Sequence, residues 1–126
     1  MNTTIEEIEA GIYRLSTFLP QIGPTGFTFN QFLVMGDEPF LFHCGQRALF
    51  PAVSEAIGKV MDIGKIRWIG FSHVEADECG ALEQFLAAAP NAQPAVGRMG
   101  VNLWLGDTCE RESRVLAEDE VLDVGG

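Results

Sequence analysis

One acidic segment of the chain concentrates the side chains that could carry out chemistry. Between Ser72 and Gly80 the sequence reads SHVEADECG, so one imidazole and three carboxylates fall within six residues. The H-x-E spacing places His73 and Glu75 on the same side of an extended segment, from which both can reach one cation. No Lys or Arg lies in the segment, so the carboxylates would repel one another without a positive partner. The pattern predicts a metal site with four candidate ligands, His73, Glu75, Asp77 and Glu78.

The elements on either side of this segment indicate where it lies in the fold. Residues 66–71 (IRWIGF) are a nearly continuous apolar run that is typical of a buried strand. From Gly80 onward apolar residues recur at helical spacing until Pro90, which ends the helix. The acidic segment therefore connects the carboxyl end of a strand to the beginning of a helix, where open α/β sheets hold their sites.

The rest of the chain alternates short strands with helices. Alternating or apolar runs predict strands over 11–17, 27–35, 40–44 and 93–96, and two weak strands within 112–123. Helical periodicity predicts helices over 51–61 and 80–89, and a short helix over 99–105. A β-meander followed by β-α-β-α-β predicts an α/β (α+β) fold with a mixed sheet and both longer helices on one face. We expect residues 1–126 to form a single domain.

Composition narrows the class of protein. The formal net charge of −10 gives no electrostatic basis for binding nucleic acid. The N-terminus lacks the basic and apolar regions of a signal peptide, and no apolar run approaches the ~20 residues that span a bilayer. Three widely spaced cysteines, Cys44, Cys79 and Cys109, argue against a disulfide framework or a zinc ribbon. We expect a cytoplasmic protein without a nucleic-acid or membrane partner.

The acidic segment also resembles a family motif. GFSHVEADECG is similar to the H-x-E-x-D-H-x-G motif of flavodiiron proteins and stand-alone oxygen-binding di-iron proteins, which belong to the metallo-β-lactamase superfamily. Residues 29–34 (FNQFLV) resemble the N-x-[YF]-L strand of that family, and residues 42–45 (FHCG) fall where the superfamily has I-D-T-G. Because the family domain is about twice as long, the resemblance implies the N-terminal half of a metallo-β-lactamase-like αββα sandwich.

The resemblance implies roles for individual residues. His73 and Glu75 match two ligands of a first metal ion, and Asp77 matches a ligand of a second. Glu78 stands where the family has histidine, so it either ligates through oxygen or leaves the second site weak or empty. His43 stands where the family has aspartate, near the metal pocket, either as a residue that orients a ligand or as a core histidine. Two further histidines and a bridging aspartate come from the family's second half, and no histidine follows His73 here.

Three functions are compatible with this resemblance. The leading one is a non-haem di-iron domain whose two iron ions bind O₂ or NO, as an oxygen sensor or as a reductase fed by a redox partner. Glu75 in place of a lactamase-type histidine favours iron or manganese over zinc. The first alternative is a binuclear metallohydrolase in which Asp77 orients a metal-bound hydroxide. The second alternative is a degenerate half-domain that serves as a dimerisation or binding module.

The predicted sheet has a consequence for assembly. Helices cover one face only, so the other apolar face would exceed the ~300–600 Å² patch that a typical monomer exposes. We therefore expect a homodimer, or a complex with a second-half polypeptide that also supplies the missing ligands. Either contact should bury more than ~1,000 Å².

Overall fold

The fold is built on one seven-stranded mixed sheet, seen in a computed structural model that describes residues 2–125. The strands stand side by side in the order in which they occur along the chain. They are β1 (Thr3–Glu9), β2 (Ile12–Leu19), β3 (Phe27–Val34), β4 (Phe40–Phe42), β5 (Trp68–Gly70), β6 (Gln93–Gly97) and β7 (Arg114–Leu116).

The direction of pairing changes in the middle of the sheet. Strands β1 to β4 pair antiparallel, as consecutive strands joined by short turns do. Strands β4 to β7 pair parallel, and each of these connections contains helical segments. β4 therefore joins the two halves of the sheet: it pairs antiparallel with β3, the last strand before it in the meander, and parallel with β5, which follows a helical connection.

Helical segments connect the parallel strands. A 3₁₀ turn (Arg47–Leu49) and helix α1 (Phe50–Ile57) follow β4, and a second 3₁₀ turn (Ile63–Lys65) precedes β5. Helices α2 (Ala76–Cys79) and α3 (Leu82–Ala88) connect β5 to β6. Between β6 and β7 lie α4 (Arg98–Gly100), a π-helical segment (Val101–Leu105) and α5 (Gly106–Thr108).

One face of the sheet and the two longer helices form the core. Alternate strand residues point to this face, and they cluster with the buried sides of α1 and α3. The strands contribute fully buried Leu15, Leu33, Leu41 and Ile69, and the helices contribute Val53, Ile57, Leu82 and Phe85. Each such aliphatic or aromatic side chain contributes roughly 1.5–3 kcal/mol by leaving water.

The predicted α/β fold with a mixed sheet is confirmed, and the structure differs from the sequence analysis in three local features. β1 was not predicted because its sequence, TTIEEIE, is mostly polar and exposed at the edge of the sheet. The segment between β5 and the helix predicted from Gly80 contains a further short helix, α2. Only one of the two strands predicted within 112–123 is present, because the chain turns after β7, with Asp119 at a φ of 61°.

The second face of the sheet carries an aromatic band. Phe32 is paired with Phe42, Val34 with Phe40, and Phe40 with Trp68, so these side chains share the face opposite the core. Phe32, Phe40 and Phe42 are half-buried and Trp68 is buried. Within residues 2–125 no helix is both long and apolar enough to cross a membrane.

Candidate metal centre

The acidic segment lies at the carboxyl end of β5, as predicted. After buried Phe71 the chain becomes exposed over residues 72–76, and Glu75 is in an extended conformation just before α2. The carbonyl of Glu75 accepts hydrogen bonds from the backbone N–H groups of Glu78 (3.0 Å) and Cys79 (2.9 Å), which close the first turn of α2. This turn directs the side chain of Glu78 back toward the end of β5.

The carboxylate of Glu78 is the buried centre of the site. The residue is only 7% exposed. Its Oε1 accepts hydrogen bonds from the backbone N–H groups of Ser72 and His73, each at 2.9 Å. Burial opposes ionisation of this carboxyl, but the N–H groups of His73 and Ser72 and the imidazoles of His43 and His73 outweigh it. The pKa of Glu78 is therefore held below its usual value.

His43 contacts Glu78 from the neighbouring strand. The Nε2 of His43 lies 2.9 Å from Oε1 of Glu78, although the direction of this contact does not suit a hydrogen bond. The backbone of His43 has a φ of 69°, a left-handed conformation that few residues other than glycine adopt. Its N–H donates to the carbonyl of Gly70, and its ring stacks on Phe42 with centroids 4.2 Å apart. The structure thus places His43 against one of the predicted ligands.

Three of the four predicted ligands converge, and the fourth does not. Among residues 2–125, one ligand atom each from His73, Glu75 and Glu78 lies within 4.8 Å of the others. His73 and Glu75 are exposed, with 72% of the His73 side chain accessible to solvent. Asp77, on the first turn of α2, contributes no atom to this group.

An apolar cavity adjoins the converging ligands. Its volume is about 480 Å³, and it is lined by Ser72, His73, Val74, Glu75, Met99, Gly100 and Leu103. Met99 and Leu103 are each 68% exposed. They lie four residues apart on the helical stretch after β6, so helical periodicity could have paired them, but the sequence did not place them beside His73. The π-helical geometry at Leu103 is rare in helices and is frequent at functional sites.

The cysteines next to the site are packing residues. Cys44 and Cys79 are buried, and the backbone N–H of Cys44 donates to the carbonyl of Glu78 at 2.8 Å. Burial raises the pKa of both thiols above the usual value. Neither thiol belongs to the group of converging ligand atoms.

Comparisons with known proteins agree with this geometry. The family model described as ODP family beta lactamase matches residues 27–105. The chain belongs to this family. The matched residues include β3 to β6, the acidic segment and the helical residues that line the cavity.

Solved structures of longer proteins share the fold. The flavoprotein of Thermotoga maritima superposes with a TM-score of 0.87 at 22% identity, over 99% of this chain and 34% of that one. Rubredoxin oxygen:oxidoreductase of Desulfovibrio gigas gives 0.85 at 21% identity, over 97% of this chain and 33% of that one. The flavodiiron protein of Giardia intestinalis gives 0.84 at 12% identity, over 99% of this chain and 33% of that one.

The family and the metallo-β-lactamase-like fold of flavodiiron proteins, both predicted from the motif, are confirmed by these matches. The chain spans about a third of the length of the solved structures. Comparison with curated proteins found no match.

Proposed function

We propose that this chain is a metal-dependent domain of the flavodiiron type that binds O₂ or NO at iron. The observation that supports this function is the convergence of His73, Glu75 and Glu78 at the carboxyl end of β5, in a member of the ODP family. Convergent donors at the end of a sheet strand are an arrangement typical of a site.

The donor set fits iron at a first site. One imidazole and two carboxylates form a set that is hard and rich in oxygen, which suits Fe²⁺ or Mn²⁺ better than zinc. His73 and Glu75 would hold the ion from the exposed side, and Glu78 from the buried side. A catalytic metal usually needs about three protein ligands, so the cluster meets the minimum for one ion. For a second ion the fit is poor, because Asp77 lies outside the group.

The surroundings of the cluster favour a small uncharged ligand. Bound iron would supply the affinity for O₂ or NO and the exchange of electrons. The chain itself supplies an apolar approach, since Val74, Met99 and Leu103 line the cavity beside His73 and Glu75. Apolar walls with a few convergent polar groups are typical of small-ligand sites. For turnover as a reductase, electrons would come from a redox partner.

Anaerobic loading with Fe²⁺ tests this function. We expect the wild-type chain to bind iron and its optical spectrum to change on addition of O₂ or NO. The His73→Ala variant should lose both properties while its circular dichroism remains that of the wild type. The proposal would be contradicted if the wild-type protein binds no iron, or if its optical spectrum does not change when O₂ or NO is added. Ester or thioester hydrolysis by the zinc-loaded chain would instead favour the metallohydrolase.

A further inference from the structure

We propose that the cluster binds one cation and not two, with Glu78 ligating the same ion as His73 and Glu75. This inference rests on the proposed function and concerns how many ions the chain holds. In the family motif the histidine at this position is a ligand of the second metal ion. Glu78 would instead be a ligand of the first ion, together with His73 and Glu75. Three observations support the proposal.

The first observation is the spacing of the ligand atoms. Oε2 of Glu78 lies 3.4 Å from Nδ1 of His73. Two ligands that are each ~2.1 Å from one ion, at a tetrahedral angle, are also separated by about 3.4 Å. With the whole group inside 4.8 Å, small side-chain rotations would bring all three atoms to a single ion.

The second observation is the set of contacts that Oε1 of Glu78 already makes. The backbone N–H groups of Ser72 and His73 each donate a hydrogen bond to this oxygen at 2.9 Å, and the Nε2 of His43 also lies 2.9 Å away without forming a hydrogen bond. A carboxylate oxygen accepts about two hydrogen bonds, so the two N–H donors fill its capacity. Only Oε2 remains for a cation, and it faces His73. Glu78 therefore cannot bridge two metal ions, because Oε1 is not free to bind a second ion while Oε2 binds the first.

The third observation is the position of Asp77. The resemblance assigns it to the second metal, yet it contributes no atom to the converging group. Two metal ions in a binuclear site stand ~3.5–4 Å apart and need ligands on both sides. Within residues 2–125 the second side of such a pair has no converging ligand set.

Counting bound iron tests the stoichiometry. In anaerobic equilibrium dialysis against rising Fe²⁺, we expect a plateau of one ion per chain. Asp77→Asn, the matched control, should keep this plateau and its affinity. Glu78→Gln should weaken binding at least about tenfold, because the amide oxygen would stay with the N–H donors and direct an NH₂ group, which cannot ligate, at the cation. A plateau of two ions, with one lost in Asp77→Asn, would overturn the inference and leave the proposed function intact.

A second measurement uses only the folded wild-type chain. On addition of Zn²⁺, the side-chain carboxyl ¹³C resonances of Glu75 and Glu78 should shift together, with one binding constant, while that of Asp77 stays in place. A shift of Asp77 with a separate binding constant would overturn the single-cation inference. If none of the three resonances moves, both the inference and the proposed ligand set are wrong.

Discussion

At the residue scale, Glu78 links the stability of the metal-free chain to pH. Its folded-state pKa lies below the usual value, so the carboxylate stabilises the fold most fully above the unfolded carboxyl pKa of about 4.3. That contribution is lost as the pH falls from there through the lowered folded-state pKa. We expect urea unfolding of the metal-free wild type to show this loss at acidic pH.

Glu78→Gln provides the comparison, since it keeps an acceptor for Ser72 and His73 but has no ionisable group. Its free energy of unfolding should be lower than that of the wild type at pH 7, and the two values should converge in acid. Glu75→Gln is the matched control, because Glu75 is exposed and the N–H groups of Ser72 and His73 donate to Glu78 instead. A constant difference between Glu78→Gln and the wild type across this pH range would contradict the prediction.

At the residue scale, the sequence could predict only some of the contacts in the candidate metal site. The H-x-E pattern identified His73 and Glu75, which the structure brings together with Glu78. The resemblance predicted that His43 lies near the metal pocket, but its contact with Glu78 depends on a left-handed φ at the end of β4 that the sequence does not reveal. The position of Asp77 outside the group could not be predicted either, since it depends on the turn of α2. Such local geometry is decided by tertiary hydrogen bonds, among them the bond from the N–H of Cys44 to the carbonyl of Glu78.

At the element scale, the close approach of β4, β5 and β6 depends on a glycine. A Cβ built on Gly70 would lie 2.6 Å from Cζ of Phe40 and 2.9 Å from the carbonyl oxygen of Ala95. The second atom belongs to the backbone and cannot move aside cheaply. Gly70→Ala should therefore cost ~1–3 kcal/mol of unfolding free energy.

Gly97, at the end of β6, is the matched control for Gly70. A Cβ there meets nothing within 4 Å and its φ is −66°, so Gly97→Ala should cost little or nothing. Urea denaturation of both variants measures the difference. Equal destabilisation by the two substitutions would show that the approach at Gly70 is not tight.

Sequence periodicity predicted the central elements better than the edges. β3, β4, β5 and α3 follow apolar patterns, because both the strands and the helix pack against one core. β1 is mostly polar and exposed, and the apolar residues after β7 (Val121, Leu122 and Val124) are exposed or only half-buried, so no burial pattern could identify the structure of these two segments. β1 is held instead by pairing with β2 and by the contact of Thr3 with Thr17, whose hydroxyl oxygens are 2.6 Å apart.

At the scale of the whole molecule, the sheet face opposite the core is the feature that bears on assembly. It carries the half-buried aromatic rings of Phe32, Phe40 and Phe42, and Phe18, which is 53% exposed, continues the face on β2. The solved structures with this fold are about three times as long as the chain. An apolar sheet face without a covering layer favours association.

We therefore predict that the chain pairs with a copy of itself or with a second-half polypeptide that covers this face, burying more than ~1,000 Å². Phe18→Asp should weaken the pairing, because a carboxylate would have to be buried in an apolar contact.

Phe27→Asp is the matched control, because Phe27 is similarly exposed, at 51%, but lies on the other face of the sheet. Phe18 is paired with Thr28, and Phe27 precedes Thr28 in β3, so its side chain points to the opposite face. If the chain pairs with itself, light scattering at micromolar concentration should give a mass above 13.7 kDa for the wild type and for Phe27→Asp, and a lower mass for Phe18→Asp. A stable wild-type monomer that a second-half polypeptide does not bind would contradict the prediction.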